Sequence, residues 1–292
     1  MDSRSTHSPL VVIVGQTASG KSDLALELAR RFNGEIIAAD SRTVYTGMDI
    51  GTAKPTLKER QTVRHHLIDV VTPDQAFSVA KFQQMAEAAI RDIGLRGKLP
   101  ILVGGTGLYI DALLYSFKLR PPADVNLRQE LSQLSVEALQ TRLMEQGIAL
   151  PANKQNPRHL IRSLETKGVP ASRSKLRSNT LLIGIQVSKE VLQDRIRSRV
   201  EHMVEQGFAE EARSLRSHFG ADIPALQAPG YKAFRGYVEG VISLEEAKAQ
   251  FIQNDLQYAK RQKTWFKRNQ DIHWINETAE AIDLVTTFLN NL

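Results

Sequence analysis

Residues 15–22 carry the clearest chemistry in this sequence. The segment, G-Q-T-A-S-G-K-S, lies between an apolar β-branched run and a stretch of helical periodicity, which is the setting of a phosphate-binding loop. Gly15 and Gly20 allow the backbone to curve around an anion, and N–H groups at the start of the helix point toward it. Lys21 adds a positive charge, and the Ser22 hydroxyl can ligate Mg²⁺. We therefore expect the chain to bind a di- or triphosphate, although the loop alone does not identify which one.

Two other polar positions follow predicted buried strands. Asp40 comes directly after the strand predicted at 35–39, and Thr106 lies in a glycine cluster that follows the strand predicted at 99–103. The carboxyl ends of parallel strands meet at one edge of a sheet, so both should lie near the phosphate loop. Asp40 is then a general base, a Mg²⁺ ligand or a turn-capping aspartate. The glycine cluster permits close approach to a ligand, but a tight strand-to-helix turn explains it equally well.

The histidines and the basic stretches indicate function less specifically than the phosphate loop does. His65 and His66 are adjacent and do not share a helix face, which favours a structural or hydrogen-bonding role over a metal site. Arg158 and Arg162 lie four residues apart on a predicted helix. The stretch 260–268 mixes cations with aromatics and can contact phosphates and bases, although we favour packing in the core for its Trp265.

The order of apolar runs and helical periodicities predicts an α/β fold. It is a P-loop NTPase-like parallel sheet with helices on both faces and an inserted all-helical subdomain. We expect the core to comprise 1–119 and 179–292, and the helical insertion to comprise 120–178. The predicted strands are 10–14, 35–39, 99–103 and 180–187, and the predicted helices are 22–32, 78–96, 125–146, 157–167, 189–218, 243–269 and 277–290.

Composition narrows the class of protein. The 292 residues include no cysteine, which excludes disulfides and thiolate metal sites and fits a reducing cytoplasm. Neither an apolar leader at 1–9 nor a run of membrane-spanning length is present, so we expect a cytoplasmic protein without membrane contact. A formal charge of +6 is compatible with a nucleic-acid partner. We expect a monomer.

At this point the motifs resemble a known family, the bacterial tRNA dimethylallyltransferases, also called isopentenyl-diphosphate:tRNA transferases. The resemblance spans nearly the whole chain, and the long string D-S-R-T-V-Y-T-G-M-D-I-G-T-A-K-P is its most specific part. It rests on G-Q-T-A-S-G-K-S at 15–22, that string at 40–55, H-H-L-I-D at 65–69, V-G-G-T-G-L-Y at 103–109, G-Y-K at 230–232 and Y-A-K-R-Q-K-T-W-F at 258–266.

The resemblance implies transfer of a dimethylallyl group, with Mg²⁺ as cofactor, from dimethylallyl diphosphate to N6 of the adenine that follows the anticodon in tRNA. It implies Asp40 as general base, with Lys21 and Thr106 assisting at the diphosphate. The implied diphosphate-binding residues are Gly15, Gln16, Thr17, Ala18, Ser19, Gly20, Lys21 and Ser22, with Ser22 on the metal. The implied contacts to the anticodon stem-loop are Asp40, Ser41, Arg42, Thr43, Thr106, Arg128, Arg158, His159, Arg162, Gln227, Gly230, Tyr231 and Lys232.

Two substitutions depart from the family pattern. Gln16 stands where the family usually has Pro, and Thr43 stands where it usually has Gln, which puts base recognition at that position in doubt. An arginine that some members carry just before Gly230 is also missing.

Other function classes share the phosphate loop. A small-molecule kinase would use ATP, but it needs neither a long helical insertion nor the basic stretch 260–268. An RNA-binding regulator with a degenerate phosphate site conflicts with intact Lys21, Ser22 and Asp40. An enzyme that prenylates free AMP would not need the basic insertion.

Overall fold

The computed structural model describes residues 8–117, 124–169 and 174–292. Its centre is a six-stranded sheet in which every pairing is parallel and the strand order is β3-β2-β4-β1-β5-β6. The strands are β1 Leu10–Val14, β2 Gly34–Ala38, β3 His65–His66, β4 Leu99–Gly104, β5 Thr180–Ile185 and β6 Ile272–Ile275. The apolar, β-branched β1 is fully buried at the centre of the sheet, as expected of a strand covered on both faces.

Helices follow most strands and begin at clear capping residues. Ser78, Ser188 and Ser243 each accept a hydrogen bond from a backbone N–H in the first turn of the helix that follows. None of the helices that the structure describes combines the length and apolar composition needed to cross a membrane. The helices are α1 Lys21–Arg31, α2 Leu57–Thr62, α3 Val79–Leu95, α4 Gly107–Leu114, α5 Val125–Ser132, α6 Val136–Glu145, α7 Pro157–Glu165, α8 Lys189–Glu205, α9 Phe208–Phe219, α10 Pro229–Val238, α11 Leu244–Phe266 and α12 Thr278–Asn290.

The sheet is covered by helices, and the fold class predicted from the sequence is confirmed. Apolar side chains of α1 and α12 pack with alternate residues of β1, β4 and β5 in one continuous core. The helices α3 and α4 pack against each other, and α3 contacts β2 and β4. A second core joins α8, α9, α10 and α11 to residues 44–48 around the rings of Phe208, Phe234 and Phe251.

The chain divides into two compact units. One comprises 1–114 and 176–292, and the other is Tyr115–Lys175. The second unit contains α5, α6 and α7, which enclose a small core that includes Leu131, Leu139 and Leu160. Its observed limits lie five and three residues before the predicted limits of 120 and 178.

The sequence analysis missed two strands and the three helices α2, α4 and α10, and it merged two pairs of helices. Strand β3 has only two residues, and β6 is a four-residue strand that follows the basic end of α11, so neither shows a clear period. The helix predicted at 125–146 divides because Ser135 caps a new helix. The helix predicted at 189–218 divides because Gly207, with φ +95°, starts α9.

Candidate active site

The phosphate loop forms as predicted, between β1 and α1. Gly20 precedes the helix with φ +94°, a conformation that strains any residue with a Cβ. Residues 17–22 line a cavity of about 910 Å³ whose wall also includes Asp40, Thr43 and Lys54. The first N–H groups of α1 have no partner within the helix, so the loop presents donors to an anion in this cavity.

Two side-chain hydrogen bonds join helix α11 to this loop, and a third joins α11 to Gly105 after β4. The Thr17 N–H donates to Gln262 Oε1 at 2.7 Å, and Gln262 Nε2 donates to the Gly105 carbonyl at 3.0 Å. Gln16 Nε2 donates to the Ala259 carbonyl at 3.1 Å. The departure at position 16 therefore has a structural role, because the glutamine ties the loop to α11.

Helix α8 brings cations to the same loop. Arg199 Nη1 donates to Thr17 Oγ1 at 2.6 Å, and Arg195 Nη1 donates to the Ser19 carbonyl at 3.3 Å. Lys21 is half-buried and donates from Nζ to the Gln16 carbonyl. Desolvation, together with the charge of Arg199, lowers the pKa of Lys21 to about 7, while Asp40 acts in the opposite direction. Two arginines and Lys21 therefore converge on the loop, and an anionic ligand would favour the charged form of Lys21.

Asp40 lies at the carboxyl end of β2, facing the phosphate loop. Its Oδ1 accepts hydrogen bonds from the backbone N–H groups of Arg42 at 2.7 Å and Thr43 at 3.4 Å. Thr106 Oγ1 accepts the Ser41 N–H at 3.1 Å, which joins the ends of β2 and β4. The turn thus caps one oxygen of Asp40 and fixes its orientation at the cavity wall.

Tyr258 of α11 also lines the cavity, and the sequence analysis did not assign it to the site. Burial raises the pKa of its hydroxyl to about 12, and the negative charge of Asp40 adds to the shift. Hydrogen bonding with the side chains of Thr106 and Gln262 partly offsets these effects. The tyrosine is therefore a neutral hydroxyl beside Asp40 at physiological pH.

The glycine cluster after β4 makes room for protein atoms. A Cβ on Gly104 would lie 2.1 Å from the Ala39 carbonyl oxygen, and one on Gly105 would lie 2.0 Å from Gln262 Nε2. A Cβ on Gly107 would meet the ring of Trp265 at 2.4 Å. These glycines therefore permit β2 and α11 to approach β4, which supports the turn interpretation over direct ligand contact.

The segment 40–55 is held by ionic contacts. The buried Lys54 ammonium contacts Asp49 at 2.6 Å and also contacts Asp69, which accepts a further bond from Arg60 at 2.7 Å. The H-H-L-I-D motif therefore supplies, through Asp69, the carboxylate that neutralises a buried lysine in the other motif. These contacts explain why both motifs belong together in one site.

The predicted RNA contacts at Gly230 and Tyr231 need correction. Tyr231 is 3% exposed and its hydroxyl donates to Glu211 Oε1 at 2.6 Å, while a Cβ on Gly230 would lie 2.5 Å from the Phe251 ring. Glu211 in turn accepts the N–H groups of residues 49–51 at 2.8–2.9 Å. Because both residues are packed in the core, they support segment 40–55 and offer no side-chain surface to RNA.

Other predicted RNA contacts near Asp40 differ in exposure. Gln227 and Lys232 are exposed. Arg42 Nη1 donates to the Pro224 carbonyl at 3.1 Å, which ties its segment to a short 3₁₀ helix, Pro224–Gln227. Thr43 is 8% exposed, and its hydroxyl has no hydrogen-bond partner within the described parts of the chain. A buried hydroxyl of this kind at the cavity wall is suited to a polar group of a substrate.

Within the helical unit, two of the predicted RNA-binding arginines serve the unit itself. Arg128 donates to both oxygens of Glu165, at 2.6 and 2.7 Å, and Arg162 donates to Oε2 at 3.0 Å. The Glu165 side chain is only 1% exposed, so it needs these partners. Arg158 and His159 are exposed on α7. Arg158 and His159 are therefore more accessible to RNA than Arg128 and Arg162, which are bound to Glu165.

Two further predictions have clear outcomes. His66 Nε2 lies 2.7 Å from Glu35 Oε2, and His65 Nδ1 lies 2.8 Å from the Val63 carbonyl, which confirms hydrogen-bonding roles. The interpretation of Trp265 as a core residue is wrong, because the side chain is 37% exposed. It covers Gly107 and donates from Nε1 to Asp111 Oδ2 at 3.0 Å.

A magnesium ion would find few protein ligands here. Within residues 8–117, 124–169 and 174–292, no group of three or more His, Cys, Asp or Glu side chains is suited to a metal ion. The exposed residue Ser22 and Asp40 both line the cavity. This donor set fits Mg²⁺, which often keeps several waters and binds phosphate oxygens with one or two protein ligands.

Sequence reasoning missed Arg195, Arg199, Tyr258 and Gln262 as site residues. The hydrogen bonds of Gln262 and Arg199 to Thr17 join positions 245 and 182 residues apart. The sequence shows that Arg195 and Arg199 are four residues apart on a predicted helix and that Gln262 lies in a basic stretch. Neither observation indicates a contact with the phosphate loop.

Known proteins resemble this chain over most of its length. A family model described as IPP transferase matches residues 43–269. The tRNA dimethylallyltransferase of Anoxybacillus flavithermus is 41% identical over 94% of this chain and 92% of its own length. The crystal structure of the tRNA isopentenylpyrophosphate transferase from Bacillus halodurans superposes with a TM-score of 0.76 at 39% identity, covering 97% of both chains.

A more distant solved structure shares the same architecture. A eukaryotic dimethylallyltransferase acting on tRNA gives a TM-score of 0.81 at 26% identity, covering 97% of this chain and 80% of the other. The chain therefore belongs to the IPP transferase family.

Proposed function

We propose that this protein is a tRNA dimethylallyltransferase. It transfers the dimethylallyl group of dimethylallyl diphosphate to N6 of the adenine that follows the anticodon and releases diphosphate. The observation that carries the proposal is one cavity lined by both a cation-rich phosphate loop and a backbone-oriented carboxylate, Asp40. The relatives named tRNA dimethylallyltransferase and tRNA isopentenylpyrophosphate transferase support the same activity.

The loop would bind the leaving diphosphate. Charge develops on the diphosphate as the allylic C–O bond breaks, and fixed donors aimed at that charge lower the barrier. Lys21, Arg195 and Arg199 supply the positive field around the loop. Bound Mg²⁺, held in part by Ser22, would shield the same charge.

Asp40 would accept the proton of the acceptor amine. An exocyclic adenine amine is a poor nucleophile because its lone pair is delocalised into the ring, so proton removal must accompany C–N bond formation. Since Oδ1 is held by the turn, we assign Oδ2 as the proton acceptor. The neutral hydroxyls of Tyr258 and Thr43 line the same cavity and can orient the base.

The adenine has to leave its stack to reach this carboxylate. Extruding a base costs a few kcal/mol, roughly, so the protein must grip the surrounding RNA. The exposed cations Lys232 and Arg158, and those of 260–268, are suited to that task. The absence of cysteine also fits an enzyme of the cytoplasm.

A label-transfer experiment tests this function. The full chain is incubated with radiolabelled dimethylallyl diphosphate and, separately, with a tRNA that has adenine after the anticodon, with AMP and without acceptor. We expect label on the tRNA only, located at N6 by nuclease digestion. Efficient label on AMP would identify a free-nucleotide prenyltransferase. Transfer of the ATP γ-phosphate to a small acceptor, with no label on RNA, would identify a kinase.

A further inference from the structure

Helix α11 carries an exposed tryptophan near its C-terminal end. The Trp265 side chain is 37% exposed, although it covers Gly107 and donates from Nε1 to Asp111 Oδ2 at 3.0 Å. A second exposed apolar side chain, Leu108, directly follows Gly107 and is 43% exposed. An indole that is fixed in place and still presents apolar surface to water suits a binding surface.

The connection between β4 and α4 places this tryptophan beside the catalytic carboxylate. Thr106, the residue before Gly107, accepts the Ser41 N–H at 3.1 Å. Ser41 directly follows Asp40, so only a few backbone links separate the indole from the proposed proton acceptor. RNA that delivers an adenine to Asp40 therefore passes close to Trp265.

Trp265 belongs to a row of side chains on one side of α11. The members recur at intervals of three and four residues, the spacing at which helical side chains are neighbours. The row begins at the cavity wall with Tyr258, and the Arg261 guanidinium lies 5.7 Å from the centre of the Tyr258 ring. From Tyr258 to Trp265 the helix rises by roughly 10 Å, about the rise of three stacked nucleotides. The row consists of Tyr258, Arg261 and Trp265.

The segment that contains this row is strongly cationic. Residues 256–270 include five lysines and arginines, all of them exposed, and no aspartate or glutamate. Such a segment attracts phosphates, and aromatic rings offer faces on which bases stack. Charge and aromatic surface together therefore fit an unpaired stretch of RNA.

Extrusion of the acceptor adenine deprives its neighbours of a stacking partner. A base in a stacked strand covers one face of the base on each side, and flipping it out exposes those faces. Proteins commonly bind unpaired RNA bases by stacking them on aromatic side chains. An indole next to the acceptor site can therefore replace the stacking that a neighbouring base loses.

We propose that Trp265 is a stacking platform for a base that neighbours the acceptor adenine. The proposal deepens the function proposed above and rests on it, because it concerns the same RNA substrate. It assigns the indole no part in the chemical step. Stacking on a fixed ring would stabilise the loop with its adenine extruded, and so offset part of the cost of extrusion.

A thermodynamic cycle between protein and RNA tests this assignment with the full chain. The wild type and Trp265→Leu are compared for the Kd of a synthetic anticodon stem-loop and of two stem-loops that lack the base before or after the adenine. We expect Trp265→Leu to weaken binding of the intact stem-loop about five- to hundredfold. One of the two abasic stem-loops should bind the wild type more weakly by a similar factor.

The variant and the abasic stem-loop are then combined. If Trp265 stacks on the missing base, Trp265→Leu binds that abasic stem-loop as it binds the intact one, within about twofold. Losses of binding free energy that add would show that the ring and the base act independently, and would overturn the proposal. Wild-type affinity for both abasic stem-loops equal to that for the intact one would also overturn it.

Fluorescence tests the contact while Trp265 itself is kept. The chain has two tryptophans, so Trp274→Phe leaves Trp265 as the only one. We expect this variant to bind the stem-loop as the wild type does and to lose emission in proportion to the stem-loop bound. Emission that does not change at saturating stem-loop would overturn the proposal. Quenching by dimethylallyl diphosphate alone would assign the indole to the dimethylallyl site and would overturn it too.

Controls separate stacking from folding and from the proposed function. Trp265→Phe keeps an aromatic face but loses the hydrogen bond to Asp111, so it should bind the stem-loop more tightly than Trp265→Leu. Equal weakening by both variants would assign the indole to holding α4 on α11 and would overturn the proposal. Failure of the wild type to bind the stem-loop would overturn both proposals, whereas wild-type affinity of Trp265→Leu for the intact stem-loop would overturn only this one.

Discussion

At the scale of single residues, the decisive feature is a carboxylate fixed by its own backbone. Asp40 Oδ1 accepts two N–H groups of the turn that follows β2, so backbone hydrogen bonds hold the side chain in one orientation. Asparagine at this position can accept the same two hydrogen bonds through its own Oδ1. A substitution can therefore remove the basic group while preserving the geometry.

The first prediction concerns Asp40→Asn. We expect kcat to fall by about 10²–10⁴, because the amide cannot accept the proton of the acceptor amine. The Kd values for tRNA and for dimethylallyl diphosphate should change little. Single-turnover kinetics and calorimetry measure the two quantities separately.

A metal-ligand role for Asp40 gives a different result. A ligand variant would need more Mg²⁺ and recover activity when Mg²⁺ is raised, whereas a base variant stays slow at saturating Mg²⁺. Recovery to wild-type turnover would leave the proposed mechanism without a base. Asp74→Asn, at an exposed turn, is the matched control and should be indistinguishable from wild type.

The second prediction concerns Lys21→Met, which keeps much of the side-chain length but removes the charge. In the structure the ammonium donates to the Gln16 carbonyl, inside the loop that would hold the diphosphate. Losing one donor to a developing anion typically lowers the rate by about 10²–10³, and we expect a loss of this size in kcat together with weaker diphosphate binding. Activity within about threefold of the wild type would place the phosphate elsewhere. Lys189→Met on the exposed start of α8 is the control.

Which site residues could be predicted depends on how local their signals are. The phosphate loop, Asp40 and Thr106 follow strands that the sequence identifies, so their convergence could be deduced from parallel-sheet geometry. Arg199 and Gln262 reach the loop from helices far along the chain, and their burial depends on helix packing that no local period encodes.

At the scale of secondary-structure elements, the edge of the sheet depends on a buried glutamate. Glu35 of β2 is 1% exposed, and it accepts hydrogen bonds from Arg96 while His66 of β3 lies 2.7 Å from it. Lys98 lies 3.0 Å away. The Arg96 hydrogen bonds lower the pKa of Glu35 far below its ordinary value, against the opposing effect of burial, with His66 and Lys98 contributing.

The third prediction follows from that shift in pKa. Because folded Glu35 holds its proton less tightly than the unfolded chain, its contribution to stability is complete above the ordinary pKa of 4.5 and is lost as pH falls below that value. We expect Glu35→Gln to lower the free energy of unfolding at pH 7 by about 2 kcal/mol. The same variant should lose less stability than the wild type between neutral and acid pH.

Urea denaturation at several pH values measures this difference. Glu27→Gln on the exposed face of α1 is the control and should follow the wild-type pH dependence. A constant difference between Glu35→Gln and wild type from pH 7 to pH 3 would show that the pKa of Glu35 is the same in the folded and the unfolded protein, and would contradict the lowered pKa.

Sequence patterns predicted some secondary-structure elements more accurately than others. The central strands were predicted almost to the residue because each is a short apolar run between turn signals, as β1 shows. The breaks at Ser135 and Gly207 were missed because helical periodicity continues on both sides of each. Capping residues, read as strictly as periodicity, would have separated α5 from α6.

At the scale of the whole molecule, the excess of six positive charges suits a polyanionic partner. In the structure, the arginines of the helical unit have two different roles. Arg128 is engaged with the buried Glu165, whereas Arg158 is exposed on α7. Charge that already neutralises a buried carboxylate is less available to phosphate, so exposed cations should dominate the salt dependence of RNA binding.

The fourth prediction contrasts these two arginines. Arg158→Ala should weaken tRNA binding, reduce the slope of log K against log salt by about one and leave the Tm unchanged. Arg128→Ala should lower the Tm, because Glu165 loses its bidentate partner while it remains buried. Filter binding between low and moderate salt, together with thermal unfolding, measures both effects, and inorganic diphosphate should bind both variants as it binds the wild type.

If Arg158→Ala kept the wild-type slope, Arg158 would lie on a solvated face outside the RNA footprint. If Arg128→Ala kept the wild-type Tm but reduced the slope, its ion pair with Glu165 would open on binding, and the two arginines would exchange roles.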